Sequence, residues 1–453
     1  MTYFLPFVLM NKVSSKPLTN LRIPFRETGG EKLLQFIWQF GYFNQHDLQT
    51  TDGEKITILS PGTLNKNGGP DFSAAKIKLG ETTFFGSVEL HLRTSDWEKH
   101  QHTGDRQYGN VILHVVFQHD KILPHAIPVL ALEPRISTLL LDRYFSFMNA
   151  EKFIPCHPAY ASVKEIVWSS WKERLLVERL TRKAVSVLEL LQQSNGHWEE
   201  TLWWLLARNF GGNVNGDAFE AIARSLQVNV LAKHKTSIHQ LEALLFGQAG
   251  LLTGEFADDY PQLLQREYAY LQKKLSLKRP VLQLQFLRMR PQNFPTIRLA
   301  QLAGFLHQSS HLFSKIAEAG NVESLRKEFD VTANDYWHYH YTFQQPSPFR
   351  KKAFGNDSID NLFINTVIPV LFAYGLFHRD ENTREKAVRW LEQIRPEKNS
   401  ITKEFAAAGI SLVTAFDSQA LIELRNQYCS PKRCLECAVG NNLLKRETIS
   451  TGC

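Results

Sequence analysis

The chain has 453 residues, too many for one ordinary core, and its 43% hydrophobic and 21% charged content excludes a disordered or collagen-like protein. No stretch reads as the roughly 18–20 apolar residues that a spanning helix needs. The apolar start MTYFLPFVLM lacks the basic residues and cleavage motif of a secretory signal. No membrane partner is therefore expected, and the cytoplasm is the expected compartment. A formal net charge of +7 suits a polyanionic partner, with basic clusters at Lys273–Arg279, Arg350–Lys352 and Lys432–Arg433.

Residues 1–30 show no clear period and read as an N-terminal extension. From Glu31 the run LLQFIWQFGYF predicts a dense apolar helix ending near Gly41. Strands are predicted at Ile56–Leu59, Phe72–Leu79, Thr82–Arg93, Val111–Gln118 and Ile127–Leu132. Turn signals stand at Asn67-Gly68-Gly69 and Gly80-Glu81. Ser95 and Glu98, in capping-box positions, predict a short helix before the fourth strand. The order helix, three strands, helix, strand defines an α/β domain over residues 31–150.

A second capping box at Ser162 and Glu165 opens a helical period that continues to the end of the chain. Helices are predicted through VERLTRKAVSVLELLQQ and at Trp198–Asn209, Ala218–Leu226, Ile238–Leu245, Pro261–Leu275, Ile297–His307, Ile359–Phe377, Thr383–Gln393 and Gln419–Gln427. Residues 151–428 thus read as a large all-α domain, followed by a cysteine-containing tail over 429–453.

Within the strand Thr82–Arg93, alternation puts Val88, Leu90 and Leu92 on a packed face and Glu89, His91 and Arg93 on a polar one. Asp71 precedes the neighbouring strand, and the tight Gly80-Glu81 turn folds the two into an antiparallel pair that brings Asp71 near Glu89. Two converging carboxylates repel unless a cation or proton lies between them, so a divalent ion is expected there. His91, on the same face, is a further ligand or a general base, and an imidazole leans the site toward manganese or zinc. His100, His102 and Asp105 follow closely. His102 and Asp105 read as solvated loop residues, Trp97 as packing and His114 as a hydrogen-bonded core histidine.

Pro70-Asp71 followed by Glu89-Leu90-His91 on the next strand resembles the PD-(D/E)XK nuclease superfamily, with His where that motif has Lys. The resemblance implies a restriction-endonuclease-like mixed-sheet core with magnesium or manganese held by Asp71, Glu89 and the backbone carbonyl of Leu90. It implies that Glu31 is the acid of the first helix and that His91 places or deprotonates the attacking water. The activity so implied is metal-dependent endo- or exonucleolytic cleavage of phosphodiesters, with nucleic acid as partner. The residues also allow a catalytically inactive nucleic-acid-binding or assembly module of the same fold, or another metal-dependent hydrolase built on His91, His100 and His102. From Glu31 on, the segments GPDFSAAKI, VELHLRTSDW, NVILHVV and YCSPKRCLECAVG resemble an uncharacterised bacterial domain-of-unknown-function family.

Cys429, Cys434 and Cys437 are close-set, and the two-residue gap between the last two lets both thiolates face one metal. Their spacing matches the first three ligands of plant-type ferredoxins, so an iron–sulfur cluster or a structural zinc is expected with a fourth cysteine. Cys453 and Cys156 are the candidates, and Cys156 is the expected one. The distant fourth ligand resembles the helicase-associated iron–sulfur nucleases. In that arrangement the metal ties together the two ends of the helical domain.

Overall fold

The computed structural model describes residues 30–102, 104–124 and 127–445, so the N-terminal extension up to residue 29 and Cys453 lie outside the described residues. The chain forms two compact units. Among described residues, the first comprises 30–168 with 428–445 and the second 169–427, so the Cys429–Cys437 segment belongs to the first unit.

The first unit is α/β. Helix α1 (Gly30–Phe40) buries Leu33, Leu34, Ile37 and Trp38. Trp38 also donates its indole N–H to the Pro61 carbonyl, 3.0 Å away. The sheet strands are β1 (Ile56–Ser60), β2 (Thr63–Leu64), β3 (Phe72–Leu79), β4 (Thr82–Arg93), β5 (Val111–Gln118) and β6 (Val129–Ala131). Their order is β1-β3-β4-β5-β6, with β2 also on β3. The β3–β4 pair is antiparallel, as the tight turn at Gly80 predicts, whereas β4–β5 and β5–β6 are parallel. A parallel step needs a crossover. Here it contains the short helix α2 (Asp96–Lys99) and the turn Arg106–Tyr108.

Ser95 does not cap α2 as predicted. Its hydroxyl and N–H bond the Asp120 carboxylate instead, and Asp96 accepts the Arg93 N–H. The polar face predicted for β4 is also corrected. Glu89 and His91 are 5% and 1% exposed, so the parallel half of the sheet is covered on both faces, as such sheets are. Close backbone approach fixes the start of the β4–β5 pair, where a Cβ built on Gly86 would lie 2.5 Å from the Asn110 carbonyl oxygen.

In β3, Phe72 pairs with Val88 but Ala75 pairs with Gly86, so β3 has one extra residue between these pairs. Ala74, in this bulge, has φ of 55°. A bulge of this kind reverses which face the flanking residues occupy. It sets Asp71 against Glu89 on one face. A regular ladder running on from Ala75–Gly86 would set it against Leu90 on the other.

The second unit is all-α. The helices predicted at Trp198–Asn209 and Ala218–Leu226 form one run, Trp198–Arg224, broken at Gly212 (φ 62°, ψ −161°). The predicted Ile359–Phe377 helix begins at Asn356 and includes a π-helical turn at Phe363–Val367. Contrary to the sequence reading, the run Asn356–Phe377 is long and apolar enough to cross a membrane (22 residues, mean hydropathy 1.5), and its apolar window is 78% buried in the fold. Ile364, Val367, Ile368, Val370 and Leu371 are core residues of the unit.

Gly86→Ala should push β4 from β5 and cost about 1–3 kcal/mol of stability, as overpacking of a close contact does. Denaturant unfolding of the two proteins measures the difference, and an equal midpoint would mean that the approach is not structurally required.

Candidate metal centre

The bulge in β3 places Asp71 where two backbone N–H groups lock the acids together. The Asp71 N–H donates to Glu89 Oε2 at 2.9 Å, and the Leu90 N–H donates to Asp71 Oδ2 at 3.0 Å. Gln35 of α1 donates to the other Asp71 oxygen at 2.8 Å. Asn65 shapes the approach through its side-chain bond to the Pro70 carbonyl (3.0 Å) and its N–H bond to the Asp71 carbonyl (2.7 Å). Leu90 thus supplies an N–H to the acidic pair, and its side chain is core.

The acids are electrostatically strained. Burial raises the Asp71 carboxyl to about 6 against the hydrogen bonds from Leu90 and Gln35 that lower it, and Glu31 raises it further. Burial, and then the Asp71 charge, raises Glu89 to about 8, with Glu31 adding to the effect. Asp71 and Glu31 thus both add negative charge beside Glu89.

A histidine cluster completes the site. Parallel pairing sets Glu89 beside His114, and His91 Nδ1 meets His114 Nε2 at 2.9 Å. His91 Nε2 faces His100 Nδ1 at 3.1 Å. The crossover brings in the remaining imidazoles. After α2, Gln101 takes a left-handed conformation (φ 59°), and the His102 N–H returns to the Trp97 carbonyl at 3.4 Å. This turn lays His102 over the sheet. The prediction of a solvated His102 is corrected: its side chain is 10% exposed, its Nε2 is 3.4 Å from Glu89 Oε1, and that nitrogen is buried without a hydrogen-bond partner. Tyr108 stacks on His102 at 3.8 Å, and the edge of Trp97 meets both His91 and His102. Asp105 stays outside the cluster and caps the turn Arg106–Tyr108 through the Gln107 N–H.

His91, His100 and His102 each offer a nitrogen, all within 4.8 Å of one another. Glu89 Oε1, the one oxygen of the acidic pair not held by the hydrogen bonds above, lies 3.6 Å from His91 Nε2 and 3.4 Å from His102 Nε2. Ligands at 2.0–2.1 Å from a tetrahedral ion stand about 3.3 Å apart, so these spacings suit one ion among them. Burial, then the neighbouring imidazoles, pushes His91 down to about 2, so it is neutral and has the protonation of a ligand. It does not supply the fixed positive charge of a lysine. His102 is shifted down by burial and then by His100. Sequence reasoning set His100 and His102 below Asp71, Glu89 and His91 and did not identify Gln35. Close spacing after β4 was their only sequence signal.

A mixed-sheet α/β unit with a buried carboxylate–imidazole cluster, joined to an all-α unit, defines the class of protein. The chain belongs to the DUF2851 family, described as protein of unknown function, whose model matches residues 31–400. No curated protein and no solved structure matches it.

The raised carboxyls predict a pH signature for the metal-free protein. Glu89 ionises more readily unfolded than folded, so its contribution to stability is fully present below about pH 4.5 and is lost as pH rises through about 8. In chelator, the wild type should therefore lose stability across this range relative to Glu89→Gln, and added manganese or zinc should restore it. Parallel pH profiles of the two unfolding midpoints would count against the strained pair.

Proposed function

We propose that this protein is a divalent-metal-dependent hydrolase that cuts phosphodiesters in nucleic acid. The carrying observation is the spacing of Glu89 Oε1, His91 Nε2, His100 Nδ1 and His102 Nε2 around one point. Nitrogen-rich ligation favours manganese or zinc over magnesium. Such an ion supplies Lewis acidity and lowers the pKa of bound water.

The remaining residues serve the substrate and the proton. Asp71, raised to about 6, is positioned by Gln35 and Leu90 as a base that accepts a proton near neutral pH. His114 orients His91 through its Nδ1, in the manner of an outer-shell partner. Trp97 and Tyr108 pack against His102 and hold its ring in place. The net charge of +7 and the Pro70-Asp71…Glu89-Leu90-His91 pattern support a nucleic-acid substrate. A second reading, an inactive binding or assembly module, draws support from the acidic pair, where three of four oxygens already accept hydrogen bonds.

The test is incubation of the chelated protein with manganese, zinc or magnesium and linear, circular or single-stranded nucleic acids. Wild type should cleave with manganese or zinc. His102→Ala should lose cleavage and reduce metal affinity by more than the about 10–100-fold typical of an outer-shell change. Metal binding without cleavage of any substrate would favour the inactive module, and unchanged affinity in His102→Ala would remove the centre.

A further inference from the structure

Four thiols stand apart from the histidine cluster. Cys156, Cys429, Cys434 and Cys437 are each buried, at 7–9% exposure, and none forms a disulfide. A single buried cysteine is an ordinary small apolar residue. Here, however, two distant segments of chain bury theirs in the first unit, where the helix that follows Cys437 packs on the turn that follows Cys156.

The backbone explains how they meet. Helix α3 (Thr138–Asn149) leads toward Cys156, whose carbonyl accepts the Tyr160 N–H at 3.1 Å as the chain enters the turn Ala159–Ser162. The terminal helix Ala438–Lys445 begins directly after Cys437 and packs on both α3 and that turn. Arg143 of α3 donates to the Leu443 carbonyl at 3.4 Å, and Lys432 reaches the Met148 carbonyl at 2.5 Å.

Around the thiols the chain curls tightly. The Lys432 N–H bonds the Cys429 carbonyl at 3.2 Å, and the Asn441 N–H bonds that of Cys437 at 2.8 Å. Only glycine fits at 440, where a Cβ would lie 2.3 Å from the Cys434 carbonyl oxygen.

We propose that Cys156, Cys429, Cys434 and Cys437 form a closed four-thiolate metal site, holding zinc or an iron–sulfur cluster, that fastens the C-terminal segment to the first unit. The helix that follows Cys437 packs on the turn that follows Cys156, and Gly440 lies against the Cys434 carbonyl, so the two cysteine-bearing segments are held against each other. On binding, each S–H releases its proton to solvent and each sulfur bonds the metal, with no change of oxidation state at sulfur. All four ligands lie in the first unit, so the clamp closes this unit on its own tail. The inference is independent of the histidine centre.

The test uses the full chain purified without oxygen, with zinc, iron and acid-labile sulfide measured. Zinc alone identifies a zinc site, and iron with sulfide identifies a cluster. The chelated chain is then titrated with cobalt(II), whose thiolate charge-transfer absorption reports sulfur ligands and ignores the histidines. Cys156→Ser should lower that absorption by roughly one quarter, for one sulfur in four, and lower native metal content, whereas Cys453→Ser should change neither. Alkylation of the wild type, which needs no variant to fold, should show four of the five cysteines protected by metal and released by chelator. A wild type that neither contains nor binds metal through sulfur would overturn the proposal. So would thiolate absorption unchanged in Cys156→Ser, or loss confined to Cys453→Ser.

Discussion

The extra residue in β3 governs the chemistry of the first unit. Strand side chains alternate between faces, so a single inserted residue decides which face the next one occupies. Because of it, Asp71 shares a face with Glu89, and the exchanged bonds from the Asp71 and Leu90 N–H groups become geometrically available. Those bonds hold two carboxylates in a region that disfavours their charge. Hydrogen bonding lowers the Asp71 carboxyl, but burial outweighs it and leaves the group well above its ordinary range. Ala74, in a left-handed backbone conformation that a side chain disfavours, is part of the cost of the arrangement.

The imidazoles cannot discharge that strain themselves. His91 is wedged between His114 and His100 in a buried position and stays neutral, so it offers lone pairs and no charge. The parallel step from β4 to β5 obliges the chain to leave the sheet and return, and the excursion carries Trp97, His100, His102 and Tyr108 over the face that bears Glu89. The divalent cation proposed for this site would meet the Glu89 carboxylate and the neutral His91 at one point.

Much of this was legible in the sequence. Alternation along β4 and the Gly80 turn brought Asp71 and Glu89 into one neighbourhood, and the long strands follow their predicted limits. The bulge was not legible, because Ser73-Ala74-Ala75 has no residue that marks an irregular register. His102 read as a loop residue because its partners, Glu89 and Tyr108, lie on other elements and its turn depends on an unusual Gln101 backbone. In the second unit the apolar run from Ile359 conceals a π-helical turn, whereas the break at Gly212 falls in the Gly- and Asn-rich gap between the helices predicted at Trp198–Asn209 and Ala218–Leu226. Local period is visible in a sequence, whereas the satisfaction of buried polar groups is decided by neighbours far along the chain.

The discontinuity of the first unit has a consequence for the order in which the protein is made. Its sheet and α3 are synthesised before residues 169–427, and the helix that covers α3 follows them. At about 5–20 residues per second, that interval is roughly ten seconds to a minute. Through it, the Ala159–Ser162 turn and the α3 surface stand without the partner that buries them in the finished chain. The nascent protein must therefore pass through a state in which an apolar face is open next to Cys156, and a ribosome stalled within the helical unit would hold it there.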